Sequence, residues 1–424
     1  MATPSTTFES DLRAILGDAG IKPATPADAI RNFQPKLVLE PANEQQLAAA
    51  LRIANDANLA VIPRGGGSKQ AWGNPPARAD IILSTKRLDK ILEHVWSDMT
   101  VSVGAGCTVA TLQQALAQHG QRLAIDLLWP STATMGGILS TNDSGTLRLR
   151  FGSLRDLVIG STIALPDGAL ASSGGKVVKN VAGYDLQKLL TGAYGTLGVI
   201  TRAVFRLHPL AKESRTISCL ARDAAEAQRL LLAIQDSKLA HSALQVRCIE
   251  NSPPQLDVLF EATEAGLAAQ SEGLKSLAAP APTSESDPPV WKARQELFNA
   301  ARDDSSSSAL AKITFLPAEF AATMESAARA AKTNQLRWNA VAQAFGVAIV
   351  LLQGSPQNLH TALAAIRAER ERAGGSLLVF HRPEAMAHLD AFGTPGDTLP
   401  VMCAIKQQLD PKSTLNPGRF LGGI

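Results

Sequence analysis

The chain is poor in cysteine, in aromatic rings and in net charge, and each shortage excludes something. Its 424 residues include 4 cysteines, Cys107, Cys219, Cys248 and Cys403, none of them in a C-x-x-C pair. A disulfide framework, a structural zinc site or an iron–sulfur cluster built from this chain alone is therefore not expected. With 41 basic against 38 acidic residues the net charge is +3, so overall charge gives no case for a nucleic-acid partner. The longest apolar stretch, around Phe345–Leu352, falls well short of the about 20 residues of a spanning helix. Met1 to Gly17 lacks a basic region followed by an apolar core, so no secretory signal is expected, and no direct membrane insertion. These absences read as a protein of a reducing, cytoplasmic compartment.

What is present is enough chain for two to four domains at roughly 100–200 residues each. Helical spacing runs over Thr7–Ala19 and an extended stretch over Pro35–Pro41. Asn43 suits the N-cap of a helix over Glu44–Asn58, and Thr108 that of one over Val109–His119. Leu59–Pro63, Asp80–Ser84 and Thr100–Val103 read as buried strands. Strand and helix thus alternate up to about Gly120, which argues for an α/β unit. From Leu123 to Leu207 glycines separate short apolar segments, the texture of sheet with tight turns around a large ligand.

A boundary is placed near Leu210, followed by an α+β domain. Its helices are expected at residues 223–236 and 318–332, at Gln357–Ala373 and at Asp390–Phe392. Its strands are expected at Ile217–Leu220, Leu244–Ile249, Leu256–Glu261, Lys312–Leu316, Val347–Leu352 and Ser376–Phe380. Ala278–Pro289 reads as a linker or mobile loop, Ser305–Ser308 as a flexible point, and Leu399–Ile424 as an ordered tail returning to another surface.

Three glycine-bearing segments carry the chemistry. Arg64-Gly65-Gly66-Gly67-Ser68 follows a strand, and consecutive glycines let backbone amides converge on phosphate oxygens. Lys69 is followed by Gln70, not Ser or Thr, and no helix-opening G-x-G-x-x-G is present, which disfavours the NTP and NAD loops. Pro130-Ser131-Thr132-Ala133-Thr134-Met135-Gly136-Gly137, continuing to Ser140 and Asn142, offers small residues and hydroxyls suited to a backbone passing close to a ring or a pyrophosphate. The third segment, Lys176 to Leu186 with Gly195 to Thr201, holds Lys179 and Tyr184, one of only 2 tyrosines. Taken singly, each segment also reads as an ordinary turn.

In order and spacing these segments together resemble the vanillyl-alcohol-oxidase / PCMH-type FAD-binding flavoproteins. The likeness lies in R-G-G-G-S, P-S-T-A-T-M-G-G, R-F-G-S-L-R-D-L-V-I-G (Arg150–Gly160) with L-P-D-G (Leu165–Gly168), K-N-V-A-G-Y-D-L (Lys179–Leu186) and G-T-L-G-V-I-T (Gly195–Thr201). The tail D-P-K-S-T-L-N-P-G-R (Asp410–Arg419) is similar to that of its α-hydroxyacid dehydrogenase branch. The resemblance covers about residues 35–210 and 400–424 and is nearest in layout to the FAD-binding subunits of glycolate oxidase (glycolate dehydrogenase) complexes. It implies an α+β fold: a PCMH-type FAD-binding domain over 1–210, in two α/β subdomains of about 1–95 and 96–210. A second α+β cap domain over 211–398 and a tail over 399–424 that returns to the FAD domain complete it.

The same resemblance implies the site. Arg64, Gly65, Gly66, Gly67 and Ser68 wrap the FAD pyrophosphate. Pro130, Ser131, Thr134, Met135, Gly136, Gly137, Ser140 and Asn142 line flavin and pyrophosphate. Gly198, Val199 and Ile200 meet the cofactor through main-chain groups, and Asn416 approaches the ring from the tail. Family members that bind FAD covalently carry His where this chain has Ser68, and no Cys stands in the Trp129–Gly137 loop, so FAD is expected to be non-covalent. Hydroxyacid-oxidising relatives carry H-x-H and G-E-H-G elements; none of the 7 histidines here stands in either.

The implied role is the FAD-bearing subunit of a complex that oxidises glycolate or a similar 2-hydroxy acid, with a larger flavoprotein subunit and an iron–sulfur subunit as partners. A self-sufficient FAD-dependent 2-hydroxyacid dehydrogenase is the alternative. The implied place is the cytoplasm or, through the complex, the face of the inner membrane. Such oxidation needs a hydride acceptor, a base and a cation for the carboxylate. Lys179, Arg382 and Arg419 are the cation candidates, with a solvated surface position as the competing reading for each. His381 is the candidate base, against a structural histidine. Tyr184 is a candidate partner of substrate or flavin, against a buried tyrosine that supports its loop. Metal is not expected.

Overall fold

The computed structural model describes residues 4–176 and 183–424. Asn43 starts the helix Glu44–Asp56, its side chain accepting from the Gln46 amide at 2.8 Å. That bond satisfies one of the first-turn N–H groups a helix leaves open. Leu47, Leu51 and Ala54 on this helix are buried with Leu37, Leu39, Val61, Ile81 and Leu83. Those apolar residues come from a four-stranded sheet ordered Ile21–Pro23, Leu37–Leu39, Ile81–Ser84, Val61–Arg64 among the described residues. The last three strands are parallel and Ile21–Pro23 is antiparallel to its neighbour. Parallel strands buried on both faces read as continuous apolar runs, which is how Ile81–Ser84 is composed.

A second, five-stranded sheet is antiparallel throughout, ordered Ile91–Val95, Thr100–Gly104, Val199–Arg206, Val158–Ala164, Leu170–Gly174. Because Ile91–Val95 pairs here, the change of sheet falls between Ser84 and Ile91. Thr108 caps Val109–Ala117 by accepting from the Thr111 amide at 3.2 Å. Val103, Leu112, Leu116, Ile138, Leu157 and Phe205 form the core of this layer.

The chain divides into two compact units. The first comprises the described residues of Met1–Ser144, Gly152–Leu210 and Pro395–Ile424; the second comprises Gly145–Phe151 and Ala211–Thr394. The first unit is not contiguous in sequence, and the Arg150–Gly160 motif is divided at Phe151. Within the second unit Arg150 donates to the Ala240 carbonyl at 3.1 Å, and the Arg148 guanidinium lies 4.7 Å from the Phe345 ring centre.

The second unit is built on an eight-stranded antiparallel sheet ordered Thr283–Ser286, Ser214–Leu220, Gln255–Glu261, His241–Ile249, Arg337–Gln343, Val347–Gln353, Ser308–Thr314, Ser376–His381. Leu230, Ile234, Leu267, Phe320, Met324, Leu359 and Leu363, from four helices, share its core with Val246, Val258, Phe260, Ile313 and Val350. Each helix alone would leave this apolar stripe in water; packing on the sheet removes it.

Several expectations require correction. Ala278–Pro289 is not a linker: the helix Glu264–Ala278 runs into it, and Thr283–Ser286 is an edge strand paired with Ser214–Leu220. The Ser218 and Ser286 hydroxyls meet there at 2.7 Å. Asp390–Phe392 is not a helix, because the Asp390 carboxylate accepts the Phe392 and Gly393 amides, each at 2.8 Å, in competition with helical bonds. Ser308 is not a flexible point but the buried first residue of a strand. The helices Met135–Thr141, Ala293–Asp303 and Leu399–Leu409 were not expected from the sequence. No helix of the described residues is long and apolar enough to cross a membrane.

Candidate functional site

The strand Val61–Arg64 delivers its chain directly into Gly65–Gly67. At Gly65 a Cβ would collide with the Thr134 side chain, and at Gly66 with the Thr132 carbonyl, so the loop lies against the 132–134 segment more closely than any side chain allows. The facing segment opens the short helix Met135–Thr141, anchored by Met135 N to Cys107 O at 2.9 Å and Gly136 N to Ala105 O at 2.8 Å. Asn142 ends that helix in the left-handed region, at φ 47°.

The third wall is the tail. The buried Asp410 carboxylate accepts from the Thr414 amide at 2.9 Å, the Leu415 amide at 2.8 Å and the Lys406 ammonium at 2.6 Å. Lys406 Nζ also donates to the carbonyls of Thr196 at 2.8 Å and Leu415 at 3.0 Å. This staple sets Leu415 beside Val61, with Val61 N bonded to Thr414 O and Asn416 N to Val61 O. Asn416 Nδ2 then donates to the Tyr194 carbonyl at 2.6 Å.

These walls enclose one cleft within the first unit. Arg64, Gly65, Gly66, Gly67, Ser68, Thr134, Gly136, Gly137, Ser140, Gly198, Val199, Ile200, Asn416 and Arg419 all line it. Pro130, Ser131, Met135 and Asn142 do not: Met135 is fully buried in the core, Pro130 holds the Ala110 amide through its carbonyl, and Ser131 is exposed. Lys179 lies outside the described residues.

The candidates outside the loops fare differently. Tyr184 is 87% exposed, so it is not a buried support for its loop. Arg382 is buried, and its Nε and Nη2 donate to the Met386 and Ala387 carbonyls at 3.2 and 3.4 Å, a cap on the turn Glu384–Met386 rather than a solvated surface position. His381 closes the last strand of the second unit, opposite Leu310. Residues not anticipated as lining are Pro63, Lys69, Gln70, Thr85, Thr141, Tyr194 and Gly195. Lys69, the first side chain after the triple glycine and Ser68, and Tyr194, the other tyrosine and the neighbour of Gly195, were visible in sequence by type and place alone.

The cleft's charges are mostly internal pairs. Arg64 Nη1 meets Asp28 Oδ1 at 2.6 Å. The Thr25 amide and the Arg64 guanidinium together hold the Asp28 carboxyl down at about 2. Lys69 Nζ lies 3.1 Å from Asp143 Oδ2, and 5.7 and 5.6 Å from the ring centres of Trp72 and Trp129. Burial pushes the Tyr194 phenol well above its ordinary range. Burial also lowers Arg419 to about 10. Cys107, fully buried behind this layer, has its thiol pushed up to about 11, which makes it packing rather than a nucleophile. No histidine, carboxylate or thiol is among the lining residues, and among the described residues no group of three His, Cys, Asp or Glu side chains could hold a metal.

The residues present fit a dinucleotide. Thr134 Oγ1, Asn416 Oδ1 and Arg419 Nε and Nη1 are buried polar atoms without a hydrogen-bond partner, all on residues that line the cleft. Native proteins rarely leave such atoms unsatisfied, so their convergence marks the place of a polar ligand. Two glycines whose Cβ atoms would collide with the opposite wall complete a backbone-lined cradle.

Comparison with known proteins agrees. Residues 35–174 match the family model described as an FAD binding domain, and FAD is the cofactor of this domain. The chain is 36% identical over 196 residues to D-lactate dehydrogenase of Archaeoglobus fulgidus, covering 45% of this chain and 42% of that protein. It is 32% identical over 195 residues to glycolate oxidase subunit GlcD of Bacillus subtilis, covering 46% and 42%. The chain thus spans less than half the length of these curated relatives. The solved structure of p-cresol methylhydroxylase with substrate bound matches 99% of this chain and 97% of its own, with a TM-score of 0.77 at 14% identity, a likeness of fold alone. The fold is the α+β architecture of PCMH-type FAD-binding proteins.

Proposed function

We propose that this chain holds FAD non-covalently in the glycine cleft and acts as the FAD-binding subunit of a glycolate oxidase-type complex. That complex oxidises glycolate or a similar small 2-hydroxy acid and passes electrons to a larger flavoprotein subunit and an iron–sulfur subunit, in the cytoplasm or at the inner-membrane face. The observation that carries the reading is the cleft itself: glycine backbone, unsatisfied donors and acceptors, and no histidine, carboxylate or thiol among its described lining residues.

Bound FAD supplies the acceptor for the hydride of the substrate carbon. The chain's own residues do the rest of the binding work. Gly65–Gly67 would offer their amides to phosphate oxygens, with no side chains of their own in the way. Asn416, fixed by its bond to the Tyr194 carbonyl, has an unpartnered Oδ1 that would accept from a donor on the ligand. None of the lining side chains is ready to take a hydroxyl proton at neutral pH. Lys69 is paired with Asp143 and the Tyr194 phenol is raised by burial. A subunit that carries electrons while its partner supplies the base meets that constraint. Ser68, and the lack of His or Cys along the cleft, support non-covalent attachment.

A self-sufficient 2-hydroxyacid dehydrogenase is the second reading, favoured by the likeness to D-lactate dehydrogenase. One preparation separates the two. The purified chain, reconstituted with FAD, is expected to show a bound-flavin visible spectrum and to release that flavin on acid precipitation. It is expected to show little turnover of glycolate or D-lactate with an artificial acceptor until the partner subunits are added. Robust turnover by the chain alone removes the subunit role; a chain that takes up no flavin removes the whole reading.

A further inference from the structure

We infer that Arg419 is the side chain through which the cleft recognises the negative charge of its ligand, and that the loop arginine, Arg64, is not. The inference rests on the FAD reading above and assigns within it the group that meets the anionic oxygens.

The cations of the cleft are not equally neutralised. Arg64 and Lys69 each have a carboxylate, Asp28 at 2.6 Å and Asp143 at 3.1 Å. Arg419 has none. It is 4% exposed, and Nη2 donates to the main-chain carbonyls of Gln70 at 2.7 Å and Trp72 at 2.6 Å. Those carbonyls orient the guanidinium without cancelling its charge. Nε and Nη1 are buried and have no acceptor.

The neighbours do not supply the missing charge. The Tyr194 phenol interacts electrostatically with Arg419, but burial drives its ionisation far above neutrality, so it faces the guanidinium uncharged. Arg31 is close enough to add repulsion. A cation buried this way is strongly disfavoured unless a counter-charge arrives. A guanidinium is donor-only and permanently charged, so the counter-charge must come as acceptor oxygens.

The shared chemistry of the ligand is therefore an anionic or strongly polarised oxygen. On a flavin dinucleotide this comes from two places, the diphosphate bridge or the N1–C2=O edge of the ring. Truncated ligands tell them apart: ADP carries the diphosphate without the ring, and riboflavin the ring without phosphate.

The test titrates apo protein with FAD, ADP and riboflavin, using wild type, Arg419→Lys and Arg419→Ala. Because Nη2 also ties down the Gln70 and Trp72 carbonyls, Arg419→Ala is repeated with added guanidinium chloride and with an equal concentration of NaCl. The expected result is an FAD affinity lowered at least about tenfold in Arg419→Ala, the scale of one charge-assisted hydrogen bond. Arg419→Lys is expected to fall between, and guanidinium but not NaCl to restore part of the loss. Parallel loss of ADP binding places the contact at the diphosphate; loss of riboflavin binding places it at the ring. Unchanged FAD affinity in a folded Arg419→Ala protein overturns the inference. So does a loss that neither lysine nor guanidinium relieves, since that marks a purely structural residue. Wild type that binds neither FAD nor ADP instead defeats the FAD reading itself.

Discussion

Replacing Lys406 with methionine tests how the tail is fastened. Methionine is close in length and apolar, so the change removes a charge and three donor bonds with little change in volume. The ammonium donates at 2.6 Å to Asp410, 2.8 Å to Thr196 O and 3.0 Å to Leu415 O, from a site 6% exposed. Removing one partner of a buried ion pair costs roughly 3–5 kcal/mol. The lower end applies, because Asp410 keeps the Thr414 and Leu415 amides and is not left bare. About 3 kcal/mol corresponds to roughly a hundredfold easier opening of the tail. Two-unit chains are poorly served by a single unfolding midpoint, so amide hydrogen exchange is the appropriate assay. Thr414, Leu415 and Asn416 should lose about two orders of magnitude of protection, and FAD affinity should fall with them, since Asn416 and Arg419 follow the staple. Asp410→Ala should be worse than Lys406→Met, because it takes the counter-charge from a buried ammonium and the acceptor from two amides at once. Exchange at Asn416 close to that of wild type, or the reverse order of the two variants, would mean that the Lys406–Asp410 pair does not fasten the tail.

Further outcomes follow from other parts of the molecule. Gly66→Ala drives a Cβ into the Thr132 carbonyl, which is backbone and cannot rotate away, so FAD affinity in a fluorescence titration should fall at least about tenfold. Asp28 has its folded pKa at about 2 against the ordinary 3.8, so the unfolded chain binds more protons in that interval. Its contribution to stability is thus present above about pH 4 and is lost as pH falls toward about 2. Solvent screening leaves it at roughly 1 kcal/mol, read as the difference between wild type and Asp28→Asn in acid denaturation. Of the cysteines only Cys403 is exposed, and burial lifts the thiols of Cys107, Cys219 and Cys248 to about 11, 12 and 12. A thiol reagent at about pH 8 should therefore label Cys403 alone in the native protein and all four in denaturant, scored by mass.

What the sequence made legible is what local physics decides. Caps such as Asn43 and Thr108 act within one helical turn, and both hold their helices as their spacing predicts. The glycine segments were legible because a backbone lying flush against another strand of chain tolerates no Cβ. The rest was settled by residues far apart in the chain. Met135–Thr141 has two glycines in seven residues and weak helical propensity, yet it is a helix because Ala105 and Cys107 accept its first amides. Whether an arginine is neutralised cannot be read from its own neighbourhood: the partner of Arg64 lies 36 residues away, whereas Arg419 donates to the carbonyls of Gln70 and Trp72. The helix Leu399–Leu409 inverts the usual pattern, since its apolar Val401 is 62% exposed while its one buried residue is a lysine. Periodicity alone discards such a segment, because it assumes that burial follows hydrophobicity. Here burial follows the Asp410 carboxylate and the carbonyls of Thr196 and Leu415, the groups that hold the tail against the cleft. The least legible helix is therefore the one whose placement the site depends on, and polar satisfaction rather than apolar area is what fixes it.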